Sequence, residues 1–315
     1  MPLKVLVTAQ MPEQWFDPLK RAGHDIVLGK GLLDHDELVE AAREIDAIVS
    51  VLTDPIDAAV LESGARGSLR VVGNIAVGYD NIDVRRAAEL GISVCNTPGV
   101  LDAATADVAM FLILACTRRA SAAEYALRSG AWTGWGLTNL LGSDLEGSTL
   151  GLVGYGRIAR AVERRANGFS MRVLHHTRHD SGQSGYVADL DELMTESDVI
   201  SVHVPLTPET LGMIDARRLR LMRRGGVVVN TARGGVVDED ALAGALESGE
   251  LASAGLDVYV GEPHVAARLL ATPNLVLLPH IGSATWGTRS KMALLACEDV
   301  CRVLEGRTPK NPIHA

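Results

Sequence analysis

Three short segments of the chain end apolar runs on side chains that can do chemistry. GVVVNTA (226–232) runs into Arg233, AGLDVYVG (254–261) into Glu262, and LVLLP (275–279) into His280. A guanidinium offers forked donors to a carboxylate. An imidazole beside a carboxylate can pass a proton near neutral pH. A fourth segment, TLGLVGYGRIA (149–159), turns on Gly154-x-Gly156-x-x-Ala159. Between a strand and a helix, that spacing cradles a dinucleotide pyrophosphate. The first glycine permits the tight turn, the second keeps side chains away from the phosphates, and the small third residue lets the helix pack on the strand. The helix N-terminus adds unpaired N–H groups and a partial positive charge. Singly, Arg233 reads as well as a surface salt bridge, Glu262 as a solvated loop acid, and His280 as a satisfied loop histidine. Ligands of open α/β sheets, however, bind beyond the carboxyl ends of the strands. All three residues therefore fall on the rim that carries the glycine turn, and one shared role explains them together.

The elements that must position these groups alternate. In the first 97 residues, KVLVTA, DIVL, DAIVSVL, RVVGNIAV and ISVCN read as strands. PEQWFDPLKRAG, opened by proline and closed by glycine, and DHDELVEAAR, opened by aspartate, read as helices. A break at Asn96-Thr97-Pro98-Gly99 precedes a helix from about Asp102 to Arg119. From Leu150 a second set follows: LGLVG, MRVLHH, DVISVH, GVVVNTA, ASAGLDVY and LVLLPH as strands, with helices at about 157–167, 189–196, 216–224 and 238–248. Residues 285–305 form a long amphipathic helix. Strands separated by helices of this length imply parallel sheets covered on both faces. The reading is α/β, with two doubly wound parallel-sheet domains: a Rossmann NAD(P)-binding domain, residues 99–284, inserted into a flavodoxin-like substrate domain, residues 1–98 and 285–315.

Bulk properties narrow the function classes. A chain of 315 residues exceeds what one core usually holds, and its 47% apolar and 22% charged content is that of a globular protein. A net charge of −9 argues against a nucleic-acid or anionic-membrane binder, so any bound anion is held by local groups. Cys95, Cys116, Cys297 and Cys301 lack metal-ligand spacing and read as buried thiols in a reducing, cytoplasmic compartment. MPLKVLVTAQ reads as a first strand rather than a signal peptide, and the longest apolar run, Val108 to Cys116, is too short to span a bilayer. No metal site is expected at His175, His176 and His179, because adjacent strand residues point to opposite faces and no acid or cysteine is spaced with them.

The cofactor's ribose is usually held by an acidic residue at the end of the second strand. Here Thr177 stands 23 residues after Gly154, followed by Arg178 and His179. A carboxylate would repel a 2′-phosphate, whereas a hydroxyl and a guanidinium can hydrogen-bond one. NADP is therefore expected in preference to NAD. The opposing reading is a solvated surface arginine, and Asp180 close by works against the phosphate.

NTARGGVVDEDAL, AGLDVYVGEP and LLPHIGSAT, with GYGRIA upstream, resemble the D-isomer-specific 2-hydroxyacid dehydrogenases. The resemblance extends to AVGYDNID (76–83), NTPGVLDAATADVAMFLILACTRR (96–119) and HVPLTPETLGMID (203–215), covering nearly the whole chain. AVGYDNID, TPGVLDAATAD and the pair Trp132/Trp135 are similar to glyoxylate/hydroxypyruvate reductases within that family. The resemblance implies that Arg233 binds the substrate carboxylate and polarises the keto oxygen, that His280 is the general acid, and that Glu262 hydrogen-bonds His280. A neighbouring carboxylate favours the imidazolium that reduction needs. It also implies that backbone N–H groups near Val77 and Gly78 hold the substrate carboxylate. The cofactor site would be lined by Tyr155, Arg157 and Ile158 beside the two glycines, by Thr177, Arg178 and His179, by Val204, Pro205 and Thr210, and by Thr105, Thr231, Ala232, Asp257 and Gly282. A homodimer is expected, with a tryptophan at the position of Trp135 reaching the partner subunit's pocket in related reductases; a plain hydrophobic anchor is the other reading of Trp132 and Trp135.

The expected reaction is reduction of glyoxylate and hydroxypyruvate by NADPH. D-3-phosphoglycerate dehydrogenases are the nearest rival, but they usually carry an arginine where this chain has Asn74, and no C-terminal regulatory domain is visible. Broader 2-ketoacid or 2-ketogluconate reduction stays open. A non-enzymatic alternative is a dinucleotide-sensing corepressor-like protein, which usually has terminal extensions that are not visible here.

Overall fold

A computed structural model describes residues 2–29, 31 and 33–314. The chain divides into two compact units, Met1–Leu101 with Ala284–Ala315, and Asp102–Ser283. The first boundary drawn from sequence lies three residues before the structural one, because the turn at Pro98–Leu101 stays with the first unit.

The first unit holds a five-stranded parallel sheet. Its strands are β1 (Lys4–Val7), β2 (Asp25–Leu28), β3 (Ala47–Ser50), β4 (Val71–Asn74) and β5 (Ser93–Cys95), in the order β2-β1-β3-β4-β5. That is the flavodoxin-like order. Its helices are α1 (Asp17–Arg21), α2 (His35–Ala42), α3 (Ala58–Ala65) and α4 (Val84–Glu89). The helix expected over 12–23 is split: a 3₁₀ turn, Glu13–Phe16, leads into α1, and Gly23 at φ 74° ends it. Asp34 caps α2 in a full capping box with Glu37, as the sequence signature requires. The apolar residues of β1, β3 and β4 face two core layers, one closed by α2 and α3 and the other by the C-terminal helix.

The second unit opens with α5 (Asp102–Thr117) and α6 (Ala120–Arg128), separated by Arg119 in the left-handed region at φ 53°. Its sheet comprises β6 (Thr149–Val153), β7 (Arg172–His176), β8 (Val199–Val202), β9 (Gly226–Asn230), β10 (Leu251–Leu256) and β11 (Leu275–Leu277), all parallel. The helices α7 (Arg157–Gly168), α8 (Leu190–Glu196), α9 (Ala216–Leu221), α10 (Glu239–Glu247) and α11 (Ala267–Ala271) connect them. Strand order is β11-β10-β9-β8-β6-β7. A parallel bridge from His175 to Tyr186 adds a one-residue strand outside β7. With it, the order read from that edge is the dinucleotide-binding 3-2-1-4-5-6 with a seventh strand added. The run 108–116 lies in α5, which buries Met110, Leu112, Ile113 and Ala115 against the sheet but leaves Phe111 exposed. The final helix, α12 (Trp286–Leu304), belongs to the first unit, where Cys297, Val300 and Cys301 join its core.

Candidate active site

The glycine turn joins β6 to α7 through a backbone that only glycine adopts easily. Gly154 sits at φ 92°, and a Cβ there would stand 2.7 Å from the His203 carbonyl oxygen. Gly156 is the N-cap of α7 and provides no side-chain cap, so the first N–H groups, beginning at Arg157 and Ile158, stay available. A Cβ on Gly156 would meet nothing within 4 Å. The open space it would fill is the cradle that a pyrophosphate requires, so these residues fit a dinucleotide. Ala159 is fully buried under the strand. Tyr155 points elsewhere: its hydroxyl donates to Glu163 at 2.5 Å, and its ring stacks on His175 at 3.7 Å. A cofactor contact from Tyr155 would therefore come from its backbone. Arg157 pairs loosely with Asp102 at 3.5 Å.

At the end of β7, the Thr177 hydroxyl donates to the His179 carbonyl at 2.5 Å. Its one hydrogen is committed inside the turn, so it cannot also be given to a phosphate. Of the two donors expected there, only Arg178 keeps its hydrogens uncommitted. That side chain is exposed and makes no hydrogen bond or ion pair with a described residue. Its charge reaches the Glu209 carboxyl, which is held below its usual range first by the Thr207 hydroxyl and, more weakly, by Arg178. On the loop after β8, Thr210 accepts from the Thr207 N–H at 2.8 Å and donates to the Pro205 carbonyl at 2.6 Å. Thr210 therefore shapes this loop, and the Val204 side chain packs within 2.9 Å of a Cβ placed on Gly154.

Arg233, Glu262 and His280, the residues expected to react, lie beyond the ends of β9, β10 and β11. Asn230, fully buried, donates to the Arg233 carbonyl at 2.8 Å and accepts from the Ala232 N–H at 3.0 Å. It folds Thr231-Ala232-Arg233 into one tight turn, and the buried Thr231 hydroxyl is left without a partner there. A Cβ on Gly234 would run into the Tyr259 carbonyl carbon and the Val260 nitrogen, so glycine lets the Arg233 and Glu262 loops touch.

The Nδ1 of His280 lies 2.7 Å from Oε2 of Glu262, whose Oε1 accepts from the Tyr259 N–H at 2.9 Å. Burial alone pushes the Glu262 carboxyl up. The hydrogen bonds from His280 and Tyr259 and the charges of His280 and Arg233 outweigh it and hold the group below its usual range. Arg233, Glu262 and His280 thus form one electrostatic group. His280 itself sits at φ 52°, a left-handed conformation that costs about 1–3 kcal/mol for a residue with a side chain. Asp257 holds it there. Buried at the end of β10, Asp257 accepts from the Ile281 and Gly282 N–H groups at 2.7 Å each. Burial is the larger influence on its carboxyl and leaves it raised. A Cβ on Gly282 would stand 3.2 Å from Asp257 and 3.4 Å from Thr105, so the three line one spot. Sequence reasoning placed Asp257 beside the cofactor but missed its positioning of His280. It missed Asn230 altogether, although a polar residue closing an all-apolar strand was a visible signal.

Val77 and Gly78 lie in the first unit, on the loop after β4, with their carbonyls held by Asn96 and Asn74. Among the described residues, no group of three or more His, Cys, Asp or Glu side chains is placed to hold a metal, and no helix is long and apolar enough to cross a membrane.

A family profile described as "D-isomer specific 2-hydroxyacid dehydrogenase, NAD binding domain" matches residues 110–282. The glyoxylate reductase of Thermococcus kodakarensis is 43% identical over 321 residues, covering 99% of this chain and 96% of that protein. The crystal structure of the TT0316 protein from Thermus thermophilus superposes with a TM-score of 0.93 at 43% identity, over 99% of this chain and 100% of that one. An NADPH-dependent glyoxylate/hydroxypyruvate reductase from Sinorhizobium meliloti, in complex with NADP and malonate, gives 0.88 at 34% identity, over 99% and 97%. The chain belongs to the D-isomer-specific 2-hydroxyacid dehydrogenase family. It is an NAD(P)-dependent oxidoreductase, similar to the glyoxylate reductases.

Proposed function

We propose that this dehydrogenase reduces the small 2-oxo acids glyoxylate and hydroxypyruvate to D-2-hydroxy acids, with NADPH as the preferred donor. The observation that carries the reading is the 2.7 Å contact between His280 Nδ1 and Glu262, within reach of the Arg233 charge. With Nδ1 committed to the carboxylate, the proton for substrate is on Nε2. Arg233 holds the substrate carboxylate and draws electron density to the keto oxygen. A nicotinamide, when held at the glycine turn, would supply the hydride for the keto carbon. His280 Nε2 gives the oxygen its proton, and Glu262 stabilises the imidazolium beforehand and fixes its orientation. Val77 and Gly78 offer backbone N–H groups to the same carboxylate.

Three observations support the finer choices. No carboxylate stands at position 177, and Arg178 is free to meet a 2′-phosphate. The S. meliloti relative is NADPH-dependent. Asn74, where a 3-phosphoglycerate dehydrogenase usually has arginine, is neutral, buried and bonded to Ser50, Gly78 and Asn81, so it is no phosphate handle. A homodimer is supported by α6, which buries none of its residues, and by the exposed Tyr125, Leu127, Trp132, Leu137 and Leu141 beside Trp135, itself 83% exposed. All four cysteines are free and buried, which suits a reducing cytoplasm. Initial rates with glyoxylate, hydroxypyruvate, pyruvate, 2-ketogluconate and 3-phosphohydroxypyruvate, each with NADPH and NADH, test the proposal. The highest kcat/KM is expected for the first two substrates with NADPH; a preference for the phosphorylated acid or for NADH overturns the corresponding choice.

A further inference from the structure

The loop after β4 is held by its carbonyls. The Ala76 carbonyl accepts from the Thr97 N–H at 2.9 Å, the Val77 carbonyl from Asn96 Nδ2 at 2.8 Å, and the Gly78 carbonyl from Asn74 Nδ2 at 3.0 Å. A trans peptide is planar, with its C=O and N–H on opposite sides. The one cis bond among the described residues is Glu262–Pro263, so all three of these peptides are trans. Pinning each carbonyl against the protein therefore aims the following N–H, of Val77, Gly78 and Tyr79 in turn, the other way. None of the three N–H groups donates to another described residue. Val77 and Gly78 are half-buried and Tyr79 is exposed, so this side of the loop is accessible. Successive unpaired N–H groups along one short loop are the makings of a concave anion receptor.

The pins are themselves tied down. Asn74 Oδ1 accepts from the Ser50 hydroxyl at 3.2 Å, and its Nδ2 also reaches Asn81 Oδ1 at 3.3 Å. Asn81 in turn donates to the Val51 and Asp54 carbonyls at 3.2 and 2.9 Å. Asp54 is clamped by the Thr8 hydroxyl and the Val51 N–H at 2.5 and 2.7 Å. Thr8, Ser50, Asp54 and Asn74 are all buried. Burying so many polar groups is tolerated only when each is satisfied, and this set fixes the loop by doing so.

We infer that Asn96 and Asn74 are positioning residues that turn the Val77–Tyr79 backbone into a carboxylate receptor, and that the Tyr79 N–H is a third donor in it. The inference rests on the proposed assignment of Val77 and Gly78 to the substrate carboxylate. The test uses the full-length enzyme, with oxamate as an unreducible 2-oxo acid analogue. Backbone amide resonances of Gly78 and Tyr79 are expected to shift on oxamate titration. Asn96→Ala is expected to raise the KM for glyoxylate and the Kd for oxamate about tenfold or more, with kcat and the KM for NADPH changing less than about twofold. Unmoved Gly78 and Tyr79 amides at saturating oxamate overturn the inference, as does an Asn96→Ala enzyme whose KM stays at the wild-type value or whose kcat falls in step with it. Failure of the proposed function reads differently: the wild-type enzyme would turn over no 2-oxo acid.

Discussion

Replacing Glu262 by Gln keeps the shape of the side chain and removes one charge. Oε1 can go on accepting from the Tyr259 N–H, now 2.9 Å away, so the new amide nitrogen takes the place of Oε2, 2.7 Å from His280 Nδ1. The pair can then bond only if Nδ1 accepts, which requires a neutral imidazole. The cation that donates the proton would face an N–H instead of a carboxylate. A hydrogen bond to a charged group contributes about 1.5–3 kcal/mol. At about 1.4 kcal/mol per factor of ten, reduction should slow roughly 10- to 150-fold. The assay is the initial rate of nicotinamide oxidation at saturating glyoxylate, with thermal unfolding alongside. Because the Tyr259 contact and the packing survive, the unfolding midpoint should move by only a few degrees, about what a change of 1 kcal/mol or less produces. A folded Glu262→Gln enzyme working within about threefold of the wild-type rate would refute the assignment of Glu262 as the partner that readies His280.

Arg178→Ala should raise the KM for NADPH about tenfold or more and leave that for NADH within about twofold, because only the 2′-phosphate meets the guanidinium; equal changes for both cofactors count against it. Burial pushes the His203 imidazole down to about 4, where it keeps a contact with the Ser201 hydroxyl at 2.9 Å. The unfolded chain, with an ordinary histidine near 6.5, takes up the proton first as pH falls. This contribution is full above about pH 6.5 and is lost by about pH 4, up to ~3 kcal/mol. His203→Gln should flatten the fall of the unfolding midpoint over that window, and parallel wild-type and variant curves would contradict this. Light scattering should return twice the chain mass, and Trp135→Glu should lower it; a monomeric wild-type protein at micromolar concentration would dismiss the dimer.

Short continuous apolar runs were enough to read both parallel sheets, because a strand buried on both faces is nearly all Val, Ile, Leu and Ala, as in AIVS and GVVVN. The short α3, α4, α6 and α11 were not read. Their few turns are set by caps such as Asp57 and Asp83, or, in α6, by a break at Arg119 that nothing in a periodicity marks. The strand at Tyr186 is a single bridge and has no period to detect. Arg233, Glu262 and His280 stood out as candidates because each lies in the turn beyond an apolar strand. The groups that set the surrounding backbone did not. Asn230, Asn74 and Asn96 act through which carbonyl they donate to, and the Thr177 hydroxyl through where its one proton goes. Residue type says that a buried amide must be satisfied; only the folded backbone says by what.

The most direct test is His280→Ala, assayed for glyoxylate reduction with NADPH while cofactor binding is followed by nicotinamide fluorescence. The proposal gives the keto oxygen's proton to this imidazole, whose Nδ1 is already held by Glu262. The variant should bind NADPH with near wild-type affinity and lose about a hundredfold or more in kcat, the usual contribution of a positioned general acid. A His280→Ala enzyme that binds NADPH and reduces glyoxylate at the wild-type rate would show that the proton comes from elsewhere.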